Sequence, residues 1–381
     1  MDIYFVSVVL FFALLAVLIY RDRKNVEFKY VVVMRRTKRF RDLIDGVAGL
    51  SPKWWKRVYS FAIAVCFAFM VVGVFSISEV SVRILLGMVK QPGLQLILPT
   101  PVASGAVGPG YILIPFWFWI AVIGIILVPH EFSHGIAARA EKIRLKSVGL
   151  MLLAIFPGAF VEPDDNQLKR SKLTTRLRVF GAGSFANFSV ALLVFLFTAF
   201  VVWPGFAVPG VSILDVNETG PAYAAGIRPN MTVTELNGRP VESTFMEHLG
   251  GRGYFADEIA GLSRGDMLTM VADGKAYSMV PDFNEATNTT SIGITYKPLF
   301  RSDETFFLSS VIPFLNMVWL FSLAVGMVNL LPLYPLDGGL MFEAISQRYL
   351  KKRSKVVVKA VTILMLLIML FDFFGPAMLN P

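Results

Sequence analysis

The chain has 381 residues and a formal net charge of +9, with 55% hydrophobic and 17% charged residues. Soluble domains carry about 25% charged residues, so this apolar balance excludes a soluble enzyme, a disordered chain and a disulfide scaffold. The basic residues lie beside apolar runs, which indicates anchoring at a lipid bilayer and no nucleic-acid partner.

Six apolar runs are long enough to cross the roughly 30 Å hydrocarbon core of a bilayer as helices. They are Ile3–Tyr20, Val58–Ile77, Tyr111–Ala137, Leu177–Trp203, Thr305–Leu331 and Val356–Met378. Two further apolar stretches, Ile84–Tyr111 and Val148–Val161, contain prolines and glycines and are expected to be re-entrant or strand-like. The sequence therefore predicts an α-helical polytopic membrane protein with about six transmembrane helices.

Basic residues accumulate in the loops that follow the first, third and fifth apolar runs. These are alternate loops, so the positive-inside rule assigns all three to the cytoplasm. The opposite side receives the long, acid-rich segment between the fourth and fifth runs. The expected location is the cell membrane, with this segment extracytoplasmic.

The segment 204–304 is polar, with short strand-like runs and the turn signals Asn237-Gly238 and Asp273-Gly274. It predicts a small inserted α+β domain. Residues 1–110 are expected to form two spans, a basic loop and a re-entrant segment. Residues 111–203 and 305–340 would form the two parts of a membrane core, on either side of the insert at 204–304. Residues 341–381 would form a basic loop and the last span.

Two histidines lie one helical turn apart in the third apolar run, in the sequence His130-Glu131-Phe132-Ser133-His134. On a helix both imidazoles share one face, so they can hold one metal ion. Glu131 is offset by about 100°, as in the H-E-x-x-H arrangement, where the glutamate is general base on a zinc-bound water. Placing ionisable side chains within a membrane span costs free energy, which favours a metal site over buried structural histidines.

A catalytic zinc ion (Zn²⁺) needs a third protein ligand. Asp337 ends the fifth apolar run, and the two glycines that follow permit close backbone approach. The charge bias assigns Asp337 and the histidines to the cytoplasmic ends of their spans, so they can meet. An aspartate that caps the following helix is the alternative. Glu162, Asp164 and Asp165 are rival carboxylates and are expected to form a solvated rim.

HEFSH in one span, with NLLPLYPLDGG (residues 329–339) in a later one, resembles the site-2 protease family of intramembrane zinc metalloproteases. GAFVEP (158–163) and AGSFANF (182–188) agree with that family. The insert resembles a PDZ domain through GPA (220–222) and AAGIRP (224–229). Ser184 stands where relatives often carry proline and is expected to touch no ligand.

The resemblance implies a role for each matching residue. Glu131 would activate water, and zinc would be held by His130, His134 and Asp337. Asn187 and Asn329 would hydrogen-bond the substrate backbone or the developing oxyanion; for either, a helix–helix hydrogen bond is the alternative.

The expected partners are membrane-anchored protein substrates, which must unwind locally before a protease reaches the scissile bond. The flexible stretch Gln91–Gly110 and the segment Ser147–Val161 could edge the site, and an exposed strand there would pair with the unwound substrate. The PDZ-like groove would bind a carboxyl-terminal peptide or only exclude bulky ectodomains, and a spacer is the alternative.

These residues are compatible with three functions: an intramembrane zinc endopeptidase, a metal-ion or proton transporter, and a catalytically silent scaffold. Transporters usually show paired halves, and no internal repeat is evident in the sequence. A silent scaffold has no need of Glu131. The residues therefore favour an endopeptidase acting in regulated intramembrane proteolysis, with its active site toward the cytoplasm.

Overall fold

The computed structural model describes residues 2–30, 32–153, 156–242, 253–285, 289–300 and 310–379. The chain divides into two compact units, one formed by Met1–Val194 with Asn316–Pro381 and the other by Phe195–Leu315. The boundaries predicted at 110, 203, 304 and 340 stay a prediction, because residues on both sides of position 304 lie outside the described ranges.

Within the described ranges, six helical stretches are long and apolar enough to cross a membrane, which confirms the six spans expected from hydropathy. The helices are α1 (Ile3–Arg21), α2 (Lys38–Leu50), α3 (Pro52–Leu85), α4 (Phe116–Ala140), α5 (Asp165–Arg170), α6 (Leu173–Phe197), α7 (Trp203–Phe206), α8 (Pro221–Ala224), α9 (Tyr254–Ala260), α10 (Ile312–Asn329), α11 (Asp337–Leu350) and α12 (Ser354–Leu379). The predicted start of the fifth span, Thr305, lies outside the described residues.

Strands occur in both units. They are β1 (Val26–Lys29), β2 (Val32–Arg36), β3 (Leu96–Thr100), β4 (Ala106–Gly108), β5 (Tyr111–Pro115), β6 (Leu145–Leu153), β7 (Phe156–Pro163), β8 (Ala207–Val216), β9 (Thr232–Leu236), β10 (Arg239–Pro240), β11 (Leu268–Ala272), β12 (Lys275–Met279), β13 (Asp282–Asn284), β14 (Thr289–Ser291) and β15 (Ile294–Phe300).

The third span begins at Phe116, so its predicted start at Tyr111 was wrong. Tyr111–Pro115 is strand β5, which pairs with β3 in parallel and with β4 in antiparallel orientation. Hydropathy alone does not distinguish a strand from a helix in a short apolar run. The stretch Ile84–Tyr111 is thus the end of α3 followed by a three-stranded sheet.

The strand-like expectation for Val148–Val161 is confirmed. Strands β6 and β7 pair antiparallel, with Val148 opposite Val161. They belong to a sheet with the order β1-β2-β6-β7, in which β7 is an edge strand. Strand β7 also contacts α4, so the sheet lies beside the helix that carries the histidines.

Small residues and polar contacts fix the second half of α4. A Cβ atom on Gly135 would lie 2.9 Å from Ile44, so glycine lets α2 approach. The hydroxyl oxygens of Tyr59 on α3 and Ser133 on α4 are 2.9 Å apart. These contacts set the rotation of α4 and therefore the direction of its histidines.

Glu141 follows the last residue of α4 and links this helix to α6 and α3. Its carboxylate pairs with Arg178 at 2.5 Å and with Lys56 at 3.5 Å. Burial raises the pKa of Glu141, but hydrogen bonds from Arg178 and Thr175 and the charge of Lys56 outweigh it, so the pKa is lowered. The carboxylate therefore stays ionised and holds the three helix ends together.

The polar insert folds as a small α+β unit, as predicted. Its sheet has the order β12-β11-β9-β8-β15, with β10 paired to β9. Asn237 and Asp273 have φ angles of 49° and 48° and each precedes a glycine, which is typical of tight hairpin turns. The core residues between this sheet and α9 include the fully buried Ile213, Leu236 and Phe255.

Candidate metal centre

The two histidines of α4 point their Nε2 atoms at the same space. These atoms are 3.2 Å apart, and His130 is buried while His134 is half-buried. The separation of four residues produces this convergence, because side chains at i and i+4 stack on one helix face. The two imidazoles therefore share one face of α4, as their spacing in HEFSH predicts.

Asp337, the first residue of α11, completes the group. Its Oδ1 lies 3.2 Å from His134 Nε2, and its Oδ2 lies 3.6 Å from His130 Nε2. A Cβ atom on the next residue, Gly338, would lie 1.9 Å from the carbonyl oxygen of Leu330. Only glycine therefore allows the start of α11 to pack against the end of α10 and deliver the carboxylate.

The three side chains fit a tetrahedral zinc site. Zinc bonds of 2.0–2.1 Å at tetrahedral angles correspond to ligand–ligand distances of roughly 3.3 Å, close to the separations observed here. One ligand atom from each residue lies within 4.8 Å of the others. Two imidazoles and one carboxylate are donors that zinc prefers, and they leave a position open.

Gly183 on α6 keeps space in front of the histidines. A Cβ atom at this position would lie 2.3 Å from His134 Nε2 and 2.6 Å from His130 Nε2. No real Cβ atom tolerates such contacts. Gly183 belongs to the AGSFANF motif, but no role was assigned to it from the sequence. The small residues around Gly183 are the sequence feature that could have indicated a close approach of α6 to the histidines.

The outer nitrogen of His134 is held by the protein backbone. Nδ1 lies 2.7 Å from the carbonyl oxygen of Val179 on α6. Because a carbonyl can only accept a hydrogen bond, Nδ1 keeps its proton and donates it to this bond, and in the neutral imidazole Nε2 is then unprotonated and available to a metal ion.

Ser184 contacts a ligand, so the expectation that it would touch none was wrong. Its hydroxyl group and its backbone N–H both donate to Asp337 Oδ2, at 2.8 and 3.2 Å. Proline at this position would provide neither donor. The serine therefore orients the carboxylate in a way that hydropathy and helix periodicity do not reveal.

Asn187, one helical turn beyond Gly183, is fully buried beside His130. Its Nδ2 lies 3.1 Å from His130 Nδ1, and its Oδ1 has no partner among the described residues. When a metal ion takes Nε2, the proton of the imidazole sits on Nδ1 and needs an acceptor. Rotation of the amide by 180° presents Oδ1 to that proton.

We expect Asn187→Leu to weaken zinc affinity about 10–100-fold, because the partner that orients His130 is lost. Zinc titration against a competing chelator measures this. Asn329→Leu is the matched control and should leave the affinity unchanged. If Asn187→Leu lowers turnover at unchanged zinc affinity, then Asn187 acts on substrate instead, which is the role implied by the family resemblance.

Asn329 is the last residue of α10 and is half-buried. Within the described ranges, no side-chain hydrogen bond of Asn329 to the three ligand residues is found. Its role toward substrate stays a prediction.

Glu131 extends from α4 to the neighbouring sheet. Its Oε2 accepts a hydrogen bond from the backbone N–H of Val161 on β7, at 3.1 Å. The carboxylate thus lies between the histidine helix and the edge strand. The H-E-x-x-H motif alone does not predict this contact between Glu131 and β7.

The rival carboxylates do not join this group. Glu162 accepts from the Ser147 hydroxyl group at 2.7 Å, and Asp164 accepts from the first backbone N–H groups of α5. Both are occupied outside the centre, and Asp165 is exposed. Among the described residues, the group whose side chains could together hold a metal ion consists of His130, His134 and Asp337.

Comparison with known proteins agrees with this geometry. A sequence model of peptidase family M50 matches residues 118–371. An uncharacterized protein of Methanocaldococcus jannaschii is 26% identical over 322 residues, which cover 83% of this chain and 78% of that protein. The membrane-bound transcription factor site-2 protease homolog of Arabidopsis thaliana is 32% identical over 113 residues, 29% of this chain and 22% of that protein.

One solved structure is similar to a part of this chain. The PDZ domain of the SdrC-like protein from Listeria monocytogenes covers 23% of this chain and 86% of its own, with 23% identity and a TM-score of 0.19. A score this low carries no argument about the fold.

The family match begins two residues into α4 and ends within α12, so it contains every residue of the metal centre. It covers two thirds of the chain, and the resemblance that HEFSH and NLLPLYPLDGG predict is thereby confirmed. The chain belongs to peptidase family M50, a family of membrane metallopeptidases.

Proposed function

We propose that the chain is an intramembrane zinc endopeptidase that hydrolyses peptide bonds within or near the transmembrane segments of membrane-anchored proteins, as in regulated intramembrane proteolysis. The observation that carries the proposal is the convergence of His130, His134 and Asp337 on helices that have the hydropathy of membrane spans. Burying ionisable groups within membrane spans costs free energy, so residues of this kind are usually kept for a function.

The zinc ligands in this proposal are His130, His134 and Asp337. A zinc ion held there would act as a Lewis acid, which lowers the pKa of water toward about 7. Glu131 takes a proton from the attacking water and returns it to the leaving amine, which is general acid–base catalysis by one carboxylate. The buried Asn187 and the half-buried Asn329 would contact the substrate backbone or the oxyanion.

We place the substrate along the outer edge of β7. The N–H of Val161 bonds to Glu131 rather than to β6, and residues two positions apart on a strand face the same edge. Ala159 therefore directs its N–H to that edge as well, where an unwound substrate can add as a strand. Ala159→Pro is expected to raise KM at unchanged zinc content, because it removes that donor; an unchanged KM would contradict this placement.

The insert is proposed to lie outside the cell and the metal centre toward the cytoplasm, following the basic loops. A cavity of about 620 Å³ in the insert is lined by Asp215, Asn217, two residues of α9 and residues 290–296. It would hold a peptide that ends in a free carboxylate. Fluorescence anisotropy with such peptides, and with their amidated forms as controls, tests this; equal binding of both forms would exclude carboxylate recognition.

Metal analysis of the purified full chain tests the proposed function directly. We expect about one zinc per wild-type chain, cleavage of a single-span reporter protein in liposomes, and loss of both in Asp337→Ala. Asp165→Ala, which removes an exposed carboxylate outside the centre, should retain both. A wild-type chain that binds no zinc and cleaves no reporter would refute the proposal.

A further inference from the structure

A polar pocket lies where the start of α6 meets the end of α11, away from the metal centre. It has a volume of about 440 Å³. Three cationic residues, Lys172, Arg176 and Arg348, line it together with Ser171, Leu173, Thr174, Ala344 and Gln347. None of these lining residues is acidic, so the pocket has a net positive charge.

The first turn of α6 supplies backbone N–H groups that its own helix leaves without acceptors. The residue before the helix is Lys172, whose side chain has no acceptor and cannot cap. The first backbone bond of the helix runs from Arg176 N–H to the Lys172 carbonyl oxygen, at 3.1 Å. The N–H groups of Leu173, Thr174 and Thr175 precede that bond and have no partner within the helix.

Arg176 is a second and independent sign of a ligand. Only 8% of this residue is exposed, and its Nε has no partner among the described residues. Its guanidinium lies 6.0 Å from the centre of the Phe180 ring. A buried guanidinium without a bonded anion is costly, because its desolvation is not offset by charge pairing.

Glu343 on α11 does not supply the anion that Arg176 lacks. Glu343 interacts with Arg176 through space, but its Oε1 accepts from Gln347 Nε2 at 2.9 Å, and it does not line the pocket. The cationic lining therefore remains open to an external anion.

We propose that this pocket binds a phosphate ester. Backbone N–H groups at a helix N-terminus favour phosphate, and a guanidinium binds it with two parallel hydrogen bonds. Pockets for small organic molecules span about 300–1,000 Å³, so the volume leaves room for an organic substituent on the phosphate. The source is either the headgroup of an anionic phospholipid, since α6 begins a membrane span, or a soluble phosphate ester.

Thermal unfolding of the full chain in phosphatidylcholine nanodiscs tests the proposal without reference to proteolysis. The soluble probe is glycerol 3-phosphate, with sodium chloride at equal ionic strength as control. The lipid probe is the replacement of part of the phosphatidylcholine by phosphatidylglycerol. We expect one of the two probes to raise the unfolding midpoint by several degrees, because a ligand that binds only the folded state stabilises it.

Variants at the rim of the pocket make the result specific. Lys172 and Arg348 are both exposed, so Lys172→Gln and Arg348→Gln should fold normally and weaken the probe's affinity about tenfold each. Arg353→Gln removes an exposed arginine just beyond α11, outside the pocket lining, and should keep the wild-type shift.

A shift with glycerol 3-phosphate identifies a soluble ester as the source, and a shift only with phosphatidylglycerol identifies the lipid. A midpoint that responds to neither probe overturns the proposal. The same holds if Arg353→Gln loses the shift as fully as Arg348→Gln, because the effect would then be general charge attraction.

Discussion

Replacing Glu131 by glutamine is expected to leave about one zinc ion bound per chain and to lower peptide hydrolysis about 10²–10⁴-fold. Glutamine has the same shape, and its carbonyl oxygen can still accept the Val161 N–H that Glu131 accepts at 3.1 Å. It cannot take a proton from water, so only the proton-transfer step is lost. Zinc content and reporter cleavage in liposomes, measured on the same preparation, check both parts.

Glu162→Gln is the matched control, since this neighbouring carboxylate is bound to Ser147 outside the metal centre. It should keep both zinc and activity. The same variants separate the alternative functions: a transporter would continue to move ions with glutamine at position 131, and a scaffold would hydrolyse nothing in either form. Wild-type hydrolysis by Glu131→Gln would refute the assignment of the general base.

Gly183→Ala is expected to abolish zinc binding and, with it, all hydrolysis. The added methyl group would lie 2.3 Å from His134 Nε2 and 2.6 Å from His130 Nε2, in the space where a metal ion must sit. Alanine favours the helical state of α6 by up to about 1 kcal/mol over glycine, so the loss would not come from weaker helix formation. Zinc analysis of the purified variant and its helical circular dichroism provide the two readings.

Gly124→Ala is the control for this substitution. Gly124 lies on α4, and a Cβ atom there would meet nothing within 4 Å. This variant should bind zinc like the wild type. If Gly183→Ala also keeps one zinc per chain, the imidazoles do not coordinate in the space that the structure shows between α4 and α6.

Much of the metal centre could be predicted from short-range patterns. The i, i+4 spacing of His130 and His134 determines a shared helix face whatever surrounds it, and six apolar runs predict six spans because hydropathy is summed over a local window. The pairing with Asp337 needed more than spacing. It followed from the charge bias of the loops, which assigned both span ends to one side, and from the family resemblance.

Other parts were wrong or missed because they depend on contacts across the fold. The start of α4 was placed five residues early because β5 and a helix have the same hydropathy, and only pairing with β3 separates them. Ser184 was expected to touch no ligand, yet it donates twice to a carboxylate 153 positions later in the chain. Neither contact has a local sequence signal.

Local patterns are enough to predict a polytopic membrane chain with a histidine pair and a glutamate on one span, since helix periodicity and hydropathy act over a few residues. The surroundings of that pair depend on how distant segments pack. The rotation of α6 brings Gly183, Ser184 and Asn187 to the ligands, and the edge of β7 reaches Glu131. These arrangements result from side-chain packing between distant segments, which local patterns do not specify.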